Sequence, residues 1–152
     1  MTSLLQILLI AHIIFGLLGV VGFYAVWMVL LKRNPTPKFL KLSSLWGLIF
    51  LIVSWLTGGY YYATFYGASV KPIVKASAYP WAHNLFMEAK EHVFLFMPFL
   101  AVVLTLVIWL QHEKLNAEVG GLKHSLVLVA GIITIIGFIV TFAGIIISGA
   151  VR

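Results

Sequence analysis

The chain has no cysteine, which excludes disulfides, thiolate-ligated metals and cysteine nucleophiles. It is also nearly without acid. Aspartate is absent, and the only carboxylate side chains are Glu88, Glu91, Glu113 and Glu118. A di-iron carboxylate centre draws glutamates from several helices of a bundle, and the stretches before Glu88 and after Glu118 supply none. Charged residues make up 9% of the chain, where a soluble domain carries roughly a quarter; that is too little polar surface to cover a water-soluble body. No nucleophile elbow, HExxH pair or glycine-rich phosphate loop is present, so hydrolytic and nucleotide chemistry have no support. The formal charge of +6 comes with no basic helix and no basic–aromatic sheet pattern, which argues against nucleic acid as a partner.

Long apolar runs are what the chain does have. With 62% hydrophobic residues, it reads as four stretches, about Leu4–Leu31, Leu42–Tyr62, Val93–Leu110 and Leu122–Val151. Each is long enough to cross a hydrocarbon core of roughly 30 Å as a helix. The fold class expected is all-α, an integral membrane antiparallel four-helix bundle, one domain over residues 1–152. Its helices are placed at about 4–31, 42–62, 81–111 and 122–151, the third gaining good helix formers from Trp81 onward. Met1, Thr2 and Ser3 carry no cation and the first run continues to Leu31. Both facts favour a retained helix over a cleaved signal.

Lys32, Arg33, Lys38 and Lys41 fill the first connection, and Lys114 and Lys123 flank the third. Cations concentrate on the cytoplasmic side of membrane proteins. The expectation is a multi-pass protein of the cell membrane with both termini and the second connection, about 63–82, outside the cytoplasm. Pro72 and Pro80 mark that connection as a loop over the outer face. Trp27, Trp46 and Trp109 are expected in an inner aromatic belt, and Tyr60, Tyr61, Tyr62, Tyr66, Tyr79 and Trp81 in an outer one.

Ionisable side chains at membrane depth are costly and usually face the bundle interior. His12, Glu88 and His92 stand out, with His83 and Glu91 behind them. Glu88 and His92 are four apart and share a helix face, which Leu85, Leu95 and Phe99 continue. His12 and His92 fall at a similar depth on helices that should be diagonal neighbours. Gly16 and Gly19 beside His12 would leave a groove for a flat ligand. This is the arrangement a bis-imidazole haem b needs: His12 and His92 as ligands, with Gly16 and Gly19 making room. A mononuclear transition metal on His12, Glu88 and His92 is the rival cofactor. Either would make the protein at most a redox carrier, for electron transfer. Pro98 should interrupt the third helix and free the Phe94 carbonyl, where a cavity could form.

Cofactor-free readings stand beside these. His12 can hydrogen-bond Ser54, Thr57 or Thr141 from neighbouring helices, with Glu88 and His92 wet at the interface. Small-residue stripes then serve helix packing: His12, Gly16, Gly19 and Phe23; Gly47, Ser54, Gly58 and Tyr61; Gly137, Thr141, Gly144 and Ser148. On that reading the chain is an accessory or structural subunit in the lipid bilayer, in a homo-oligomer or a larger membrane complex. A small proton-coupled transporter relaying through His12, Glu88 and His92 is the remaining alternative.

Overall fold

A computed structural model describes residues 3–77, 80–116 and 121–149; Tyr79 and Glu118 lie outside these. Helix α1 spans Ser3–Leu30 and α2 Pro37–Tyr61. The latter continues without a break through a π-helical stretch, Tyr62–Val70, into α3, Lys71–Ala76. A second π-helical stretch, Ala82–Met87, leads into α4, Glu88–Gln111. A 3-10 turn, His112–Asn116, precedes α5, Gly121–Gly149. Four helical stretches are long and apolar enough to cross a membrane. Helix α1 packs on α2 and α5, and α4 closes the ring between α2 and α5. Helices α1 and α4 are therefore diagonal, as expected. The end holding the start of α1 and residues 62–87 is called here the terminal end, the opposite one the basic end.

The second connection departs from its expected form. Helix runs unbroken from Pro37 to Ala76, 40 residues or about 60 Å at 1.5 Å per residue, twice the hydrocarbon thickness. No proline interrupts residues 38–71. Pro72 sits in the first turn of α3, where a missing N–H is tolerated. The extension folds back on Ala82–Met87 and buries Tyr66 and Val74. Helix α2 starts earlier than the expected residue 42: Thr36 is extended and Pro37 opens the helix, its fixed φ suited to a first turn.

The two ends of the bundle are built differently. Phe23, Val26, Leu30, Leu40, Leu104, Ile108 and Ile133 are fully buried in one cluster, all towards the basic end. There the connections are tied together. Lys123 Nζ donates to the carbonyls of Lys32 at 2.6 Å and Arg33 at 3.2 Å, fastening the start of α5 to the turn that follows α1. Trp109 Nε1 donates to the Lys41 carbonyl at 3.3 Å, and the Lys41 ammonium lies 5.5 Å from the Trp109 ring centroid and 3.2 Å from His112 Nε2. Trp46 and Trp109 are exposed here, as belt residues should be. Trp27 instead turns inward: its ring lies 3.1 Å from where a Gly131 Cβ would stand, so the missing side chain on α5 admits the indole.

Most of the outer surface is apolar. Phe99, Phe142 and Leu110 are 65%, 66% and 75% exposed, which only a lipid solvent tolerates over so large an area. Inside it, α1 and α2 approach closely along the small-residue stripe. A Cβ on Gly22 would stand 2.8 Å from the Gly47 Cα, and backbone cannot yield as a flexible side chain can. Gly22→Val should therefore cost about 1–3 kcal/mol of overpacking strain and lower the melting temperature in detergent. Gly59→Ala, at a helical site with nothing within 4 Å of the added Cβ, should be neutral or raise it. Equal melting of both variants would refute the close approach.

Candidate functional site

His12 is held by α2. Its Nδ1 lies 2.9 Å from the Ser54 carbonyl oxygen and 3.0 Å from Ser54 Oγ. A carbonyl only accepts, so Nδ1 carries the proton. In the neutral ring, Nε2 is then the acceptor nitrogen. Ser54 Oγ donates back to the His12 carbonyl at 2.9 Å, locking the two helices reciprocally. Thr57 Oγ1 donates to the Val53 carbonyl at 2.8 Å, so of the neighbours expected for His12 it is Ser54 that holds it. Gly58 makes the seat: a Cβ there would overlap Nδ1 and lie 2.6 Å from Cε1. The Nδ1 edge of the imidazole thus rests where a side chain is missing.

The glycines of α1 have a related role. A Cβ on Gly16 would lie 2.9 Å from Ser54 Oγ, and one on Gly19 2.8 Å from two Leu51 side-chain carbons. Leu51 thus fills the space expected for a flat ligand beside Gly19. Both glycines let α2 close on α1, and only Gly16 also borders open space.

That space is a cavity of about 560 Å³ between α1, α2, α4 and α5. His12, Ser54, Lys90 and Thr141 are its polar and ionisable walls apart from the Trp55 indole; Leu17, Val20, Leu51, Met97 and Gly137 are among its apolar ones. It forms beside Pro98, where the expected break in hydrogen bonding falls. Among the described residues no carboxylate lines it. The Lys90 side chain is half-buried, and its ammonium reaches α5, 3.3 Å from where a Gly144 Cβ would stand. A lysine near a helix end ordinarily snorkels toward water; this one turns into the bundle.

Packing partners give the cavity a direction. Gly137 receives the Val20 side chain, so α1 and α5, running oppositely, bring Thr141 level with Gly16 and Gly144 level with Ile13. Lys90 Nζ and His12 thus share the terminal end of the cavity with Ser54 and Thr141. From His12 to Val20 is about 12 Å along α1, and over that distance the walls become wholly apolar: Val20, Leu51, Met97 and Gly137. Toward the basic end the cavity is wholly apolar, while toward the terminal end its polar groups stand among Leu9, Ile13 and Ile145.

His92 is not part of it. Glu88 and His92 are exposed, and His92 Nδ1 bonds its own helix at the Glu88 carbonyl, 2.7 Å away. The face they share is the outward one, with Leu85 61% and Leu95 59% exposed. The expectation that this face points inward is corrected by the structure. The core face of α4 is Met97, Ala101, Leu104 and Ile108, and stepping back seven residues from Met97 leads to Lys90. The structure therefore brings His12 together with Lys90 rather than with Glu88 and His92. Among the described residues no group of three or more potential metal ligands occurs. The side chains of His83 and Glu91 lie outside the described part of the structure. His112 and His124 are at the basic end, away from the cavity.

Lys90 carries the signal that sequence reasoning passed over: it is the one cation on the small-residue face of α4. Comparison with protein families, curated proteins and solved structures finds no match.

Substituting Gly58 with alanine should push the imidazole off its seat and break the Nδ1–Ser54 bond. Ser54→Ala should leave the carbonyl acceptor in place and lower stability by about 1 kcal/mol. Nitrogen NMR of the histidine ring checks both: a protonated Nδ1 in wild type and Ser54→Ala, and a changed tautomer mixture in Gly58→Ala. An Nε2–H tautomer in the wild type would contradict the seat described here.

Proposed function

We propose that this four-helix membrane protein binds a small amphiphilic molecule in the cavity between α1, α2, α4 and α5. One observation carries the reading. A lysine ammonium and an imidazole share a largely apolar cavity that no described carboxylate lines. A lysine drawn into a membrane bundle rather than out to water is costly, and burial of a charge is tolerated when it is paired. A ligand bringing negative charge to Lys90 would complete the site. The volume falls within the range of small-molecule pockets, roughly 300–1,000 Å³. The polar end lies toward the terminal end of the bundle. The cluster of Lys32, Arg33, Lys38, Lys41 and Lys123 at the basic end supports placing that end in the cytoplasm, and so the polar end of the cavity in the outer leaflet.

A second reading, haem b with a role in electron transfer, is favoured by the His12–Ser54 bond. Metal-bound imidazoles commonly donate their other N–H to a backbone carbonyl, which orients the ring and raises its basicity. His12 would then be an axial ligand and Lys90 would meet a propionate. His92, on the outward face, would require α4 to rotate before it could serve as the second ligand.

Protein purified in mild detergent from haem-supplemented cells separates the two readings. The amphiphile reading expects a colourless protein from which organic extraction and mass spectrometry recover a small molecule in near-stoichiometric amount, with at least a fivefold loss in Lys90→Met. A Soret band that disappears in His12→Ala would establish haem instead. A protein that carries neither, and takes up neither on reconstitution, would overturn the assignment of this cavity as a binding site.

A further inference from the structure

We infer that the ligand is a single-chain monocarboxylic acid, bound with its carboxylate on Lys90 at the terminal end and its hydrocarbon tail directed toward Val20, Leu51 and Met97. The inference rests on the proposed binding cavity and specifies its occupant. Four features define it.

The first is charge. Among the described residues Lys90 is the only Lys or Arg that lines the cavity, so it balances one negative charge. His12 is oriented by a bond from its protonated Nδ1 to the Ser54 carbonyl, so the neutral ring offers the cavity an acceptor nitrogen rather than a second cation. A phosphate monoester, carrying about −1.5 to −2 at neutral pH, would enter hydrocarbon over-charged. A carboxylate is matched by the one ammonium.

The second is direction. Lys90, the group able to engage an anionic head, lies at the terminal end with His12, where the Ser54 and Thr141 hydroxyls already donate to the His12 and Gly137 carbonyls. The walls beyond them are Val20, Leu51, Met97 and Gly137. A molecule with a head and an apolar body fits this gradient in one orientation. A compact polar solute would leave the greasy half empty, and a plain hydrocarbon would leave the ammonium without an anion.

The third is size. The cavity holds about 560 Å³ and runs about 12 Å from the level of His12 to that of Val20. Beyond Val20 the bundle closes on the fully buried cluster of Phe23, Leu104 and Ile133. A single chain of medium length fits this length and volume, and the exposed Ile13, Leu17 and Ile145 on the rim open the cavity sideways to lipid.

The fourth is acceptor chemistry. A neutral His12 ring with its proton on Nδ1 can accept from the protonated acid and gives nothing to the anion, whose partner is Lys90. A carboxylic acid can cross from lipid as the neutral molecule, and Lys90 favours its ionised form once inside. A methyl ester has the same tail and carbonyl but neither the charge nor the proton.

The test uses the full chain in lipid nanodiscs, with lauric acid, methyl laurate, lauryl phosphate and haem as separate probes in equilibrium binding. Saturable binding of one lauric acid per chain is expected, with methyl laurate at least tenfold weaker. Lys90→Met should bring lauric acid down to the level of the ester while keeping its melting temperature, because the substitution removes a charge from an apolar setting. Lys90→Arg should retain part of the preference. Ester binding equal to acid, a phosphate at least tenfold tighter than the acid, or haem binding alone would overturn the carboxylic acid and leave the cavity as a binding site. Failure of all four probes would overturn the cavity reading as well.

Discussion

Lipid neither donates nor accepts hydrogen bonds and solvates charge poorly, and the structure is organised around that constraint. Every polar group on the inner faces of the helices must find its partner within the protein. The His12–Ser54 pair shows the solution in its most complete form, with each residue bonding the other's backbone carbonyl. Buried Thr134 bonds back to its own helix at Ala130, and Thr105 reaches across to the Ser44 carbonyl. Lys90 is the group for which the cavity walls offer no such answer in kind, since a cation wants an anion and no described wall residue is one.

The same constraint explains why the bundle is dense at one end and open at the other. Close packing in a membrane is driven by shape and small residues rather than by expulsion of apolar groups from water. Toward the basic end, large side chains from four helices interlock, and the connections are fastened by Lys123 and the Lys41–Trp109–His112 cluster. Toward the terminal end, α1 stays clamped to α2 through Gly16, Gly19 and Gly22. Pro98 and Gly144 border the space left between the opposite walls. Gly137 still receives the Val20 side chain, whereas, among the described residues, a Cβ on Gly144 would meet only the Lys90 ammonium. The same residue type thus gives contact in one place and volume in another.

Much of this was legible in the residues, but not the direction in which α4 faces. Four spans, their order and the diagonal placement of α1 and α4 follow from run lengths and short connections. The stripes on α1 and α2 follow from the recurrence of small residues. The face of α4 was misread for a physical reason. In water, the apolar side of a helix is its inner side; in lipid, both sides are apolar, and Leu85, Leu95 and Phe99 look like core while facing hydrocarbon. The better marker is smallness: Ala101 and Thr105 are buried where Phe99 and Leu106 are not. Read that way, Lys90 falls inward and Glu88 and His92 fall outward. The helical extension beyond Tyr61 was hidden similarly, because aromatic and proline residues that signal a loop in isolation are compatible with a helix whose proline falls in a first turn.

What the sequence by itself determined is the solvent and the number of crossings, because hydropathy over some twenty residues is additive and needs no knowledge of neighbours. It also marked His12 as a residue whose place in the membrane demands a partner. Only the tertiary structure decided which partner that is, which ionisable residue of α4 shares its cavity, and where open volume remains. Those depend on the rotation of each helix about its own axis and on contacts of ångström scale between glycine and side chain, and no local property of the chain specifies them.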